Sequence, residues 1–168
     1  ANNQETALGS TSANVPERAL REIYLKAFGM VVADADPLTV MSSYNCLNGE
    51  HTSVKRELLT DILRGEFGFE GFVMSDWGAA GSMADKVMAG NDVNMPGNAT
   101  DPDDVLAAFK SGAITETALN ACCYNILKPM VCGGLGVFPY VLICLILACT
   151  TQLQVFTLSA LPSWISTL

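Results

Sequence analysis

The residues best suited to chemistry in this chain are Ser75-Asp76-Trp77, where a short apolar run, Phe72-Val73-Met74, stops at a carboxylate beside an indole. Gly71 and Gly78 bound the run, the pattern of a strand buried on both faces of a parallel sheet. Ligands of such sheets lie beyond the carboxyl ends of the strands, so Asp76 would meet a ligand from a rigid support. The indole adds a flat apolar surface that suits the C–H face of a sugar ring. The same carboxylate would also serve to cap a following helix, and this stretch alone leaves both readings open.

Two further segments end in comparable positions. Thr39-Val40-Met41-Ser42-Ser43 reads as a strand delivering Tyr44 and Asn45, with Asn48-Gly49 as turn chemistry after it. Asp92-Val93-Asn94-Met95 reads as a last short strand before the Pro96-Gly97 turn. Asp92 fits either a substrate contact or a strand-end hydrogen-bonding residue, and Met95 either lines a pocket or fills core space. His51 is the only histidine and lies in a loop, with no Gly-x-Ser-x-Gly motif to complete a nucleophilic triad, so it reads as a loop residue. The six cysteines, Cys46, Cys122, Cys123, Cys132, Cys144 and Cys149, lack metal-ligand spacing, so neither zinc nor any other metal is expected and they read as small buried hydrophobes. Gly133-Gly134-Leu135-Gly136 has no preceding strand and no following Lys-Ser/Thr, which rules it out as a phosphate loop. No cofactor is expected.

The elements that must position these residues alternate helix and strand, which predicts an α/β fold with parallel strands. After a polar loop over residues 1–13, Asn14 and Pro16 predict a helix start, with Leu20, Ile23, Tyr24, Phe28, Val31 and Val32 as its buried face. Thr52 or Ser53 would cap a second helix with Leu58, Leu59, Ile62 and Leu63 inward, stopped by Gly65 or Gly68. Ser82 would cap a third, closed by Gly90, with Met83 and Met88 at core spacing. Asp101-Pro102-Asp103-Asp104 opens a fourth that stops at Gly112, and Thr115 opens a fifth that ends at Pro129.

The formal net charge of −8 disfavours nucleic acid, whose phosphates are bound by clustered Lys and Arg. A neutral sugar is compatible with it. Every charged residue precedes Pro129, and the run from Leu135 is apolar but borderline for the roughly 20 residues of a spanning helix. Membrane contact is therefore expected only through the 135–164 segment, with an aberrant carboxyl end as the preferred explanation and docking on an exposed sheet edge as another. Neither a start methionine nor a leader is visible, and Asn98-Ala99-Thr100 is a weak glycosylation sequon.

Four stretches together carry a resemblance: Met41-Ser42-Ser43-Tyr44-Asn45-Cys46-Leu47-Asn48-Gly49, the segment from Leu58 to Phe69, Ser75-Asp76-Trp77, and Ala89-Gly90-Asn91-Asp92-Val93-Asn94-Met95-Pro96-Gly97. In this order and spacing they resemble glycoside hydrolase family 3, the β-glucosidase and β-xylosidase family, from about Ala1 to about Leu127. The resemblance implies that Asp76 is an ionised nucleophile, that Trp77 walls the sugar, that Tyr44 holds the nucleophile or the ring, and that Met95 lines the pocket. A complete (β/α)8 (TIM) barrel needs about 250 residues, so the expected architecture is its C-terminal half over 1–128, followed by an uncharged tail over 129–168. Retaining hydrolysis needs a second carboxyl group about 5–5.5 Å from the first. The family draws its acid/base from a following domain, and Glu66, Glu70 and Glu116 read as solvent-facing. The family's Lys-His pair falls upstream of a stretch like Asn2 to Glu5.

The expected function is thus hydrolysis of a β-glucoside or similar β-linked glycoside through a covalent glycosyl-Asp intermediate, with little activity without the other barrel half and second domain. The alternative is a non-catalytic truncated or membrane-associated product with relic sugar-site residues. Family resemblance favours a secreted protein.

Overall fold

The computed structural model describes Ala1 and residues 5–132. Of the expected tail, residues 133–168, with its glycine-rich start, Cys144 and Cys149, lie outside the described residues. Among the described residues no helix is long and apolar enough to cross a membrane.

Helix α1 covers residues 17–35 in three stretches, α-helical Glu17–Ala19, π-helical Leu20–Tyr24 and α-helical Lys26–Ala35. The expected cap and the expected buried face both need correction. The helix starts behind Pro16 with no side-chain cap, while Asn14 Oδ1 accepts the Ser12 hydroxyl at 2.9 Å. In the π-helical stretch the Leu25 N–H donates to the Leu20 carbonyl, five residues back. That extra residue rotates everything downstream by about one position. Leu20, Leu25 and Val32 are therefore buried, whereas Ile23, Phe28 and Val31 are 66%, 53% and 52% exposed.

Strand β1 (Ser12–Ala13), inside the expected amino-terminal loop, pairs in parallel with β3 (Cys46–Leu47), and β3 pairs antiparallel with β4 (Glu50–His51). The turn between β3 and β4 uses positive φ at Asn48 and Gly49, and the Asn48 side chain bonds both the amide and the carbonyl of Val15. The second sheet carries the candidate chemistry. Strand β2 (Thr39–Met41) pairs in parallel with β5 (Phe72–Met74), and Met74 forms a parallel bridge to Val93. Val40 and Val73 stand opposite each other in this register and point to the helices, where Val73 packs with Val32, Leu59, Leu63, Phe69 and Ala89. Met41, one position on, lies on the other face and is 49% exposed. Gly71 lets the two strands meet, since a Cβ there would lie 2.2 Å from the Leu38 carbonyl oxygen.

Helix α2 (Glu57–Glu66) is also π-helical and buries Leu59, Ile62 and Leu63, as its stripe predicts. Its expected caps serve elsewhere: Thr52 and Ser53 sit in a preceding 3-10 turn, where their hydroxyls donate to the Ser43 and Ala80 carbonyls. Gly68, with φ +76, turns the chain out of it. Helix α3 (Met83–Ala89) is capped by Ser82, which accepts the Asp85 amide, and closes at Gly90 with φ +88. Helix α4 (Asp101–Lys110) starts with three aspartates and stops before Gly112, and Thr115 Oγ1 accepts the Ala118 amide at the start of α5 (Glu116–Cys132). Pro129 does not end α5, which runs on to Cys132 with the proline buried inside it and one backbone amide bond missing. Cys46 and Cys122 are buried as expected, but Cys123 is exposed. Neighbouring helical positions point about 100° apart, so only one of that pair can face the core.

Candidate active site

Sheet order β2–β5–Val93 brings the candidate residues to one edge. Tyr44 follows β2, Asp76 and Trp77 follow β5, and Met95 follows the Val93 bridge, each past a carboxyl end. Asp76 does not cap α3, whose cap is Ser82. Its Oδ1 instead accepts the Trp77 amide at 2.7 Å, and its carbonyl accepts the Ala79 amide at 3.1 Å. The Tyr44 hydroxyl donates to the Trp77 carbonyl at 2.8 Å and lies within hydrogen-bonding reach of the Asp76 carboxylate. Loss of solvation, with the Asp76 carboxylate beside it, holds that hydroxyl above its ordinary pKa, so it stays a proton donor at neutral pH. The Trp77 residue is 52% exposed beside this carboxylate.

Met95 is tied into the same edge by its backbone. Its amide donates to Ser75 Oγ at 2.9 Å and its carbonyl accepts the Gly78 amide at 2.8 Å. The Met95–Pro96 peptide is cis. His51 is part of the support, with Nδ1 3.1 Å from the Tyr44 carbonyl oxygen.

Asp92 points away from this edge, into the helix layer. Its carboxylate is fully buried and accepts Arg64 at 2.6 Å, the Val73 amide at 2.7 Å and Asn125 at 2.9 Å. Burial pushes its carboxyl up from the usual range, opposed by the Val73 and Asn125 hydrogen bonds and the Arg64 charge. Of its two sequence readings, the hydrogen-bonding one describes its place. The glutamates considered as an acid/base are also engaged elsewhere: Glu66 pairs with Arg21, Glu70 with Lys128, and Glu116 lies in the first turn of α5.

Sequence reasoning missed the groups that hold the loop after Asp76. Lys86 is 5% exposed and donates to the Ala79 carbonyl at 2.7 Å and to Asn94 Oδ1 at 2.8 Å. Asn94 Nδ2 in turn donates to Asp101 at 2.7 Å. The available signal was a lysine at an inward position of α3, between Met83 and Val87. These groups line a cavity of about 710 Å³ behind the Gly78–Gly81 loop, which Asp76 and Trp77 do not line. The chemistry the edge itself supports is that of a half-buried carboxylate held by a backbone amide, with a phenol beside it and an aromatic wall, able to attack an electrophilic carbon.

Comparison with known proteins bears on what that carbon is. The model of the Glycosyl hydrolase family 3 N terminal domain matches residues 2–128. The chain is 46% identical over 130 residues to beta-glucosidase B of Emericella nidulans, covering 76% of this chain and 15% of that protein. It is 47% identical over 120 residues to an exo-alpha-(1->6)-L-arabinopyranosidase of Bifidobacterium longum, covering 71% and 16%. Among solved structures, beta-glucosidase 3B from Thermotoga neapolitana in complex with glucose superimposes with a TM-score of 0.74 at 45% identity, over 78% of this chain and 19% of that one. The chain thus spans about one sixth of the length of these curated relatives.

Proposed function

Because the chain belongs to glycosyl hydrolase family 3, we propose that its strand-end edge is the nucleophile side of a retaining glycosidase site, acting on a β-linked glucoside or a similar glycoside. The observation that carries the reading is the meeting of Asp76, Tyr44, Trp77 and Met95 at the carboxyl ends of neighbouring parallel strands. Asp76 attacks the anomeric carbon and forms a glycosyl ester while the leaving oxygen departs from the opposite side. The Trp77 amide donates to one carboxylate oxygen and the Tyr44 hydroxyl stands beside the group, which orients Asp76 for attack. Trp77 and Met95 wall the sugar. On this reading residues 1–128 are the barrel part, from the C-terminal half of a (β/α)8 barrel, and 129–168 are an uncharged hydrophobic segment whose first residues complete α5.

On this reading the partner acid comes from outside the edge, Glu66 and Glu70 being paired with Arg21 and Lys128 and Glu116 opening α5. General acid catalysis is worth about 10²- to 10⁴-fold, so this chain alone should hydrolyse ordinary glycosides poorly. A substrate whose leaving group needs no protonation separates the nucleophile from the acid. Incubation with 2,4-dinitrophenyl 2-deoxy-2-fluoroglucoside followed by peptide mass spectrometry should place a fluoroglucosyl label on Asp76, and Asp76→Asn should abolish it. No label, or one that survives the substitution, overturns the assignment.

A further inference from the structure

Four carbonyls in the loop that follows the candidate nucleophile are pinned, three of them by side chains from separate parts of the fold. The Asp76 carbonyl accepts the Ala79 amide at 3.1 Å, and the Trp77 carbonyl accepts the Tyr44 hydroxyl at 2.8 Å. The Ala80 carbonyl accepts Ser53 Oγ at 2.6 Å, and Ser53 is fully buried. The Ala79 carbonyl is held by Lys86, the only charged group of the four. Loop carbonyls are ordinarily satisfied by water, so this much direct bonding marks a backbone whose path is fixed.

Lys86 does more than hold one carbonyl. Its ammonium also donates to Asn94 Oδ1, on the segment that leads to Met95, and Asn94 passes the connection to Asp101 at the start of α4. Asp101 also accepts the amide and side chain of Asn98. The ammonium therefore stands between the segment carrying Trp77 and the segment carrying Met95. Burial lowers the Lys86 pKa and the Asp101 charge opposes that, the balance of a cation kept for its hydrogen bonds at a cost in solvation.

We propose that Lys86 is a positioning residue: through the Ala79 carbonyl and Asn94 it sets the geometry of the Asp76–Gly81 loop against the Asn94–Asn98 loop, and so the spacing of the Trp77 and Met95 walls. For those walls to bind sugar, the inference rests on the glycosidase reading above. Its geometric part stands on this network alone.

Amide hydrogen exchange on the full chain tests it, with three amides as reporters: Gly78, bonded to the Met95 carbonyl between the two loops, Ala79, bonded to the Asp76 carbonyl within one, and Met95, bonded to Ser75 Oγ just before the first. Lys86→Met keeps the stem and removes the ammonium. It should accelerate exchange at these three amides by about tenfold or more, the scale of one charge-assisted hydrogen bond. Amides in α2 should be unchanged, and Lys86→Arg should restore most of the protection. Asn94→Leu cuts the same connection from its other side and decides the matter if Lys86→Met does not fold. Unchanged exchange at all three reporters, or equal acceleration throughout α2, overturns the proposal. In the same samples the yield of fluoroglucosyl label on Asp76 should fall with Lys86→Met and recover with Lys86→Arg. A wild-type chain that takes no label defeats the glycosidase reading, while the exchange comparison still decides the role of Lys86.

Discussion

Replacing Asp92 with alanine separates the two roles that its sequence position allows. The carboxylate is fully buried and takes a charged bond from Arg64, itself 17% exposed at the side chain, together with the Val73 amide and Asn125. Truncation leaves a guanidinium largely cut off from solvent without its anion, and a strand amide without its acceptor. Removing one partner of a buried ion pair costs about 3–5 kcal/mol, a large share of the roughly 5–15 kcal/mol that holds a domain together. With a urea dependence of about 1–3 kcal/mol per molar, the midpoint should fall by at least about 1 M, or the transition should vanish. Asp92→Asn should recover little of this. Both carboxylate oxygens face donors, so an amide nitrogen meets a donor whichever way it turns. The assay is urea unfolding followed by far-ultraviolet circular dichroism, alongside fluoroglucosyl labelling of Asp76. A midpoint within about 0.3 M of wild type, with labelling lost, would refute the structural role and return Asp92 to the sugar site.

Gly71→Ala should destabilise the chain by about 1–3 kcal/mol in thermal unfolding, because the added Cβ lies 2.2 Å from the Leu38 carbonyl oxygen and strand β2 must move; a neutral result contradicts that contact. Ser82→Ala should cost about 1 kcal/mol and Ser82→Thr far less, since the hydroxyl both accepts the Asp85 amide and donates to the Asp85 carboxylate; equal losses would mean that the cap is not what matters. The Asp101 carboxyl resists burial but is held below its usual range by the Asn94 and Asn98 hydrogen bonds and the Lys86 charge. Its folded pKa is thus depressed, so its stabilising contribution is complete above the unfolded value near 3.9 and is lost as the pH falls through the lower folded value. The stability difference between wild type and Asp101→Asn should accordingly be constant above about pH 5 and shrink progressively as the pH falls below about 4; a difference that grows on acidification contradicts it.

The sequence by itself determined the local features of this protein. Alternating helix and strand, the Ser82 cap, the turns out of helices at Gly68, Gly90 and Gly112, and the strand ending at Asp76 all depend on neighbours in the chain, and short-range rules reach them. The four motifs likewise gave the family. Tertiary structure decided what depends on partners distant in sequence. A single π-helical turn in α1 shifted its apolar stripe by one residue and exposed Ile23, Phe28 and Val31, an offset that a fixed helical period does not contain. Thr52 and Ser53 look like caps, yet bond to Ser43 and Ala80 because the 3-10 turn places them there. Asp92 looked like one more strand-end acid, and only the arrival of Arg64 from α2 and Asn125 from α5 commits it to the helix layer. The inward position of Lys86 on α3 is legible in the sequence, but its acceptors, Ala79 and Asn94, are not, because the chain turning back on both sides of α3 brings them together. A buried charge is stable only where such acceptors converge, and that convergence belongs to the fold rather than to any stretch of sequence.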